Sequence, residues 1–234
     1  QVMAQSARGA LNASADAQTN FARDRNISVR QRPREGYEAL GGRLGAFAVY
    51  PKLNIGVERN DNIYATSVNE QDDLIWKVQP ELALSSTWSR HALNAYARAT
   101  INRYQDFDTE DTEDYGVGMS GRLEILRTAN IAAGADWARP AEPRPPSASP
   151  QASVAPIQFE QLSANIAGAR EFNRLRVSGR YDYRQFDYED GRTAAGTVIQ
   201  QDDRDREVHP LTGRADYAMS PATAVFVEVS RNWR

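Results

Sequence analysis

Arg174-Leu175-Arg176-Val177-Ser178-Gly179-Arg180-Tyr181-Asp182-Tyr183-Arg184 alternates polar with non-polar residues without a break. Side chains of a strand point to opposite faces with period two. Leu175, Val177, Gly179, Tyr181 and Tyr183 therefore share one face, and four arginines with Ser178 and Asp182 share the other. A single half-buried strand could show this contrast. What decides the fold is that the contrast returns along the chain.

Nine stretches carry it, near 44–58, 72–88, 90–104, 113–127, 129–139, 156–170, 172–187, 204–218 and 222–234. In the first, Phe47, Val49, Leu53, Ile55 and Val57 oppose Tyr50, Lys52, Asn54 and Glu58. In the second, Leu74, Trp76, Val78, Leu82, Leu84 and Trp88 oppose Lys77, Gln79 and Glu81. The third sets Leu93, Ala95, Ala97, Ala99 and Ile101 against Asn94, Tyr96, Arg98 and Thr100. The fourth sets Tyr115, Val117, Met119, Leu123 and Ile125 against Ser120, Arg122 and Glu124. The fifth and ninth repeat the pattern with Ile131 and Trp137, and with Val225, Val227, Val229 and Trp233. The sixth and eighth are less clean, because Glu207 and His209 share the parity of Leu211, Ala215 and Tyr217 and need a place at a membrane rim.

The connections give a second signal. Those near 88–90, 127–129, 170–172 and 218–222 read as tight turns, and those at 59–71, 105–112, 140–155 and 188–203 are long and polar. Transmembrane β-barrels have short periplasmic turns and longer extracellular loops. The expected fold class is therefore all-β, an antiparallel transmembrane β-barrel with apolar residues toward lipid and polar residues toward a wet lumen. In this orientation Phe47, Trp88 and Tyr217 fall near the periplasmic rim. Trp76, Tyr115, Trp137, Tyr181, Tyr183 and Trp233 fall near the outer rim, giving two aromatic girdles. Nine strands leave an unpaired edge, which lipid does not tolerate, so the expectation is a portion, about nine strands, of a larger barrel. Pro51 and Pro80, in mid-strand, are expected to mark bulges.

Composition agrees and excludes alternatives. The chain has 234 residues, a formal charge of -3 and no cysteine, with a mean hydropathy of -0.64. No run reaches the roughly 18 apolar residues of a membrane helix, whereas a barrel strand needs only every second residue apolar. Absent cysteines exclude disulfides and thiolate chemistry. The charge balance gives no footing for a nucleic-acid partner. Residues 1–40 lack a sustained period and are expected to be a flexible periplasmic segment, with Gln1–Gln5 as the tail of a removed signal peptide; residues 41–234 form the barrel portion.

The lumen-lining candidates by parity are Lys52, Lys77, Glu81, Arg98, Arg122, Glu124, Arg174, Arg176, Arg180, Asp182, Arg184, Arg214 and Asp216, together with Glu58, Asp136 and Glu228. Such a lining either pairs acids with bases across strands or orients a hydrated or anionic solute. Tyr50, Tyr96 and Tyr104 also face inward and are candidates for stacking on sugar rings. The acidic loop with Asp106, Asp108, Glu110, Asp111, Glu113 and Asp114 reads as solvated and does not match a calcium-loop spacing. Glu110 and Asp111 have nothing in the sequence to raise a pKa. Neither His91 nor His209 sits in a nucleophile arrangement, so no catalytic residue, metal or cofactor is expected.

Leu44 to Tyr64, with a central Pro51 running into Asn60-Asp61-Asn62-Ile63-Tyr64, resembles the opening hairpin of the outer-membrane porin family called beta-barrel porin 2. Val78-Gln79-Pro80-Glu81-Leu82, the Trp88–Ala92 turn, Arg103-Tyr104 and Asp114-Tyr115-Gly116 fit the same pattern. The resemblance spans roughly 41–234 and implies part of a large barrel of about sixteen to eighteen strands. It also implies a role in exopolysaccharide secretion, with a polysaccharide or a periplasmic export component as partner. The residues themselves imply an outer-membrane channel of a Gram-negative envelope, in contact with lipid and lipopolysaccharide, N-terminus periplasmic, for passive passage of hydrophilic solutes. A non-transporting envelope scaffold and a soluble β-sandwich binding module are the alternatives.

Overall fold

The computed structural model describes residues 41–64, 66–142, 144, 153–220 and 222–233. The expected N-terminal segment and signal-peptide remnant lie outside these residues. The strands are β1 (Gly42–Leu44), β2 (Phe47–Asn60), β3 (Asp73–Ser86), β4 (Ala92–Tyr104), β5 (Thr112–Leu126), β6 (Ala129–Arg139), β7 (Phe159–Phe172), β8 (Leu175–Tyr188), β9 (Gly191–Arg192), β10 (Val198–Ile199), β11 (Arg206–Ser220) and β12 (Thr223–Trp233). Ten of them form one antiparallel meander in the order β1-β2-β3-β4-β5-β6-β7-β8-β11-β12, while β9 and β10 make a small hairpin of their own. Each long strand is thus one of the nine expected stretches. Within the described sheet β1 and β12 do not pair, so the wall is open.

The register turns the sequence pattern into two faces. Tyr50, Ala83, Tyr96, Gly118, Asp136, Ser163, Arg184 and Val208 stand side by side across the sheet. One residue along, Val49, Leu84, Ala95, Met119, Ala135, Ala164 and Tyr183 form the matching apolar row on the other face. That apolar face is the open one: Leu53, Ile55, Val117, Met119, Leu123, Ile166, Val227 and Val229 are all exposed. A soluble protein rarely leaves so continuous an apolar surface in water. A β-sandwich would instead bury it between two sheets, and here there is one layer. The soluble-module reading is excluded on that ground.

The girdle residues follow the same parity. At the short-turn end Phe47 meets Trp88 edge-on at 5.7 Å, and Tyr217 is level with Leu175. At the long-loop end Trp76, Tyr115 and Trp233 are exposed on the apolar face, Trp137 donates to Glu160 at 3.3 Å, and Tyr181 and Tyr183 flank His209. Glu207 and His209, paired at 3.4 Å, therefore sit at the rim, as their outward parity required.

Two expectations need correction. Pro51 and Pro80 make no bulge: β2 and β3 pair in one unbroken register, Pro51 opposite Leu82 and Leu53 opposite Pro80. The pairing of β3 with β4 skips Gln79 and Pro80 and resumes in the same register, so the missing N–H costs a ladder contact and no extra residue. The register shifts fall instead at Ala218/Ser220 and Glu124/Leu126, beside short turns. The second correction concerns the β7–β8 turn. It lies at Asn173 and Arg174, three residues later than expected, because Asn173 takes the left-handed conformation (φ 54) that asparagine tolerates.

Candidate lumen wall and loop cap

The polar face carries charged side chains in pairs set by strand geometry. Cross-strand neighbours Lys52 and Glu81 come within 3.9 Å, and Lys77 pairs with Glu58. Along single strands, positions two apart share a face, so Arg180 binds Asp182 and Arg214 binds Asp216, each at 2.7 Å. Arg214 also reaches Glu228 on β12 at 3.4 Å. These pairs are partly exposed, where an ion pair contributes little, about 0–1 kcal/mol. Their effect is to neutralise much of the wall.

Arg98, Arg122, Arg176 and Arg184 remain: among the described residues none of them has an acidic partner within 4.0 Å. Of the expected arginine stripe on β8, Arg180 is therefore neutralised, while Arg184, and Arg176 level with Glu171 and Asp216, make no ion pair within 4.0 Å. Arg174 is not on the wall at all. It is exposed in the β7–β8 turn, at the short-turn end. Glu124 lies opposite Asn130, and its backbone N–H donates to His91 Nδ1 at 3.2 Å.

The three inward tyrosines have different surroundings. Tyr50 lies against Gly41, where an added Cβ would stand 2.8 Å from its ring. Tyr96 lies on Gly118, and Tyr104 is level with Ile75 under the long loops.

Those loops hold the only substantial buried cluster among the described residues. Ile63, Ile75, Ile157 and Tyr188, with Asp73, Glu110, Ser153 and Gln201, are buried, and all lie in long loops or at the strand ends beside them. Ile75 and Tyr188 point to the polar face by register, yet Ile75 is only 3% exposed. The loops therefore fold over the polar side of the wall, not outward. Asp73 accepts from the N–H groups of Leu74, Gln105 and Phe107 at 2.6–3.2 Å and fixes the β4–β5 loop. Glu110, expected to be solvated, is 4% exposed and bound by Arg144 at 2.8 Å. Burial pushes its carboxyl above the usual value, and Arg144 and the Tyr64 hydroxyl partly oppose that. Burial and Glu110 likewise push the Tyr64 hydroxyl up.

The stretch after β6 joins the neighbouring loops. Arg144 reaches Glu110 between β4 and β5 and stands 5.6 Å from the Tyr64 ring between β2 and β3. Glu142 turns the other way and receives Arg204 Nη1 at 3.1 Å, while that guanidinium covers the Tyr188 ring at 4.0 Å. Tyr188 in turn stacks on Phe159 at 4.8 Å. Sequence could not show this, because loop contacts have no period; the buried acids were hidden among exposed ones.

With two faces and a capped end in view, comparison with known proteins is decisive about lineage. Residues 34–234 match the family described as "Putative beta-barrel porin 2". The chain belongs to that family. Among solved structures, the outer membrane channel DcaP of Acinetobacter baumannii is similar, with a TM-score of 0.50 and 14% identity over 80% of this chain. At that identity the likeness establishes the fold, an outer-membrane β-barrel wall. The aligned region covers 55% of the DcaP chain, so this chain spans about half of its length. No curated protein matches the sequence. Membership in a porin family makes the apolar face the lipid face and the polar face the lumen face.

Proposed function

We propose that this wall belongs to an outer-membrane channel through which hydrophilic solutes pass passively. The observation that carries the reading is the combination on one sheet of an exposed apolar band and a polar opposite face with four unpaired guanidiniums. Following the rule that long loops are extracellular, β2 runs outward and the N-terminus is periplasmic. The loop cap then lies at the outer mouth. Outer-leaflet lipopolysaccharide is the neighbour of the aromatic and charged outer rim.

Charge refines the proposal. Arg98, Arg122, Arg176 and Arg184 place local positive charge on a lumen face that Glu124, Asp136, Glu171 and the second acid beside Arg214 bring close to neutral overall, and that local charge is what would attract anions. An acidic exopolysaccharide is the narrower candidate solute, with a periplasmic export component as its supplier; the charge and the family resemblance both support it. The test is single-channel recording of the full-length protein in a planar bilayer with a salt gradient. The reading predicts stable conductance with anion preference, reduced in Arg176→Gln/Arg184→Gln and little changed by Arg180→Gln/Asp182→Asn. Well-folded protein without conductance would favour a scaffold role. An unchanged reversal potential would remove the arginines from selectivity.

A further inference from the structure

Of the three inward tyrosines, only Tyr96 packs on a glycine of a long neighbouring strand. It sits on β4 directly opposite Gly118 of β5, which is itself opposite Asp136 of β6. A Cβ placed on Gly118 would come 2.5 Å from Tyr96 Cε1, 2.9 Å from Cζ and 3.0 Å from the Asp136 Cβ. The ring is therefore laid across the glycine backbone with its far edge against Asp136. Arg98, two residues along β4, repeats the arrangement: its Nε would be 3.2 Å from a Cβ on Gly116, and its guanidinium carbon is 5.4 Å from the Tyr96 centroid. Gly116 is buried beneath it while Arg98 itself is exposed. Beyond Asp136 the same row continues with Ser163 and Arg184.

We propose that Tyr96, with Arg98 and Asp136 beside it, is a subsite for a pyranose ring on the lumen wall. The ring packs on the glycine and stays partly accessible on the polar face, with the Arg98 guanidinium at its border. The C–H-rich face of a sugar packs on such a ring because the π face is negative and the C–H hydrogens are slightly positive. The hydroxyls around the sugar's edge need both acceptors and donors, which Asp136 and Arg98 supply as charge-assisted partners. Tyr50 and Tyr104 lack this setting: Tyr50 packs on Gly41, before β1, and Tyr104 stands opposite Ile75 with no glycine beneath it. The inference rests on the channel reading, since only a water-filled lumen brings a sugar to this face. A ring packed on a cross-strand glycine also stabilises a sheet, and the variants separate the two roles.

The probe is maltohexaose, titrated calorimetrically into the full-length protein in a detergent without sugar headgroups. Saturable binding is expected for wild type and for Tyr96→Phe, which keeps the platform. Tyr96→Ala should weaken it about tenfold or more. Gly118→Ala, which lifts the ring while leaving it present, should weaken binding as well. Folded Tyr96→Ala protein that binds as wild type does, or wild type with no saturable binding, would overturn the subsite. In bilayers, maltohexaose should slow the wild-type current. Conductance without such block would sink the subsite and leave the channel; no conductance would sink both.

Discussion

The wall and the loop cap of this chain are built by opposite means. The wall has no core of its own. Apart from Gly116, its described mid-strand residues are at least partly accessible, and its ion pairs are half-open to water. Its order comes from backbone ladders and from a solvent on each side, lipid on one and water on the other. The cap is an ordinary small core: four buried apolar side chains, a buried Asp73 that satisfies backbone donors, and a buried Glu110–Arg144 pair. Electrostatics that are marginal in the wall are therefore decisive in the cap. The lesson is that one sequence here answers to two sets of rules, and mutations sort accordingly.

The largest effect is expected at Arg144. Arg144→Met leaves the Glu110 carboxylate buried without its cation, which costs roughly 3–5 kcal/mol locally. Hydrogen exchange in residues 105–111 should accelerate while strands β5 and β8 keep their protection. Equal loss in the wall would erase the distinction between the regions. Next comes Met119→Arg on the lipid face, expected to cost about 2–4 kcal/mol in a bilayer, against little for Ser120→Arg one residue away. Reversible unfolding in lipid vesicles measures both, and similar costs would mean the faces are wrongly assigned.

The contrast between these regions also explains what could be read from sequence. Alternation at 174–184 and its repeats located nine strands, both faces and the aromatic girdles, because period two is imposed by the backbone itself. Arg174 was misplaced because Asn173 can adopt a left-handed turn that no hydrophobic pattern marks. Pro51 and Pro80 misled for a related reason: whether a proline disrupts a ladder depends on which side its absent N–H would face, a matter of register and not of composition. In the loop 105–111 seven residues hold four carboxylates close together in sequence, yet only pairing with Arg144, some thirty residues on, selects Glu110 for burial. The Tyr96–Gly118 contact was half legible: parity turned the tyrosine inward, but the glycine beneath it required the β4–β5 register.

Lys52→Met removes one partner of an exposed wall pair and should change stability by no more than about 1 kcal/mol, while shifting ion selectivity slightly toward cations, because one positive charge leaves the wall. The least is expected from pH. The Glu110 carboxyl is held above its ordinary 4.5 when folded, so the folded cap binds that proton more tightly than the unfolded chain does. Its contribution to cap stability therefore falls as pH rises from 4.5 through the raised value, by less than about 1.4 kcal/mol per pH unit. The ratio of cap exchange rates in wild type and Glu110→Gln should vary across that window and flatten above it. A ratio that stays flat would place Glu110 in water.

Alternate residues of each long strand face lipid and lumen. Because the chain has no cysteine, single cysteines can be placed in turn at positions 176 to 182 of β8 in the full-length protein, reconstituted in vesicles, and challenged with a membrane-impermeant thiol reagent. The account predicts labelling at 176, 178, 180 and 182 and protection at 177, 179 and 181. Uniform labelling, or labelling of the odd positions alone, would contradict it.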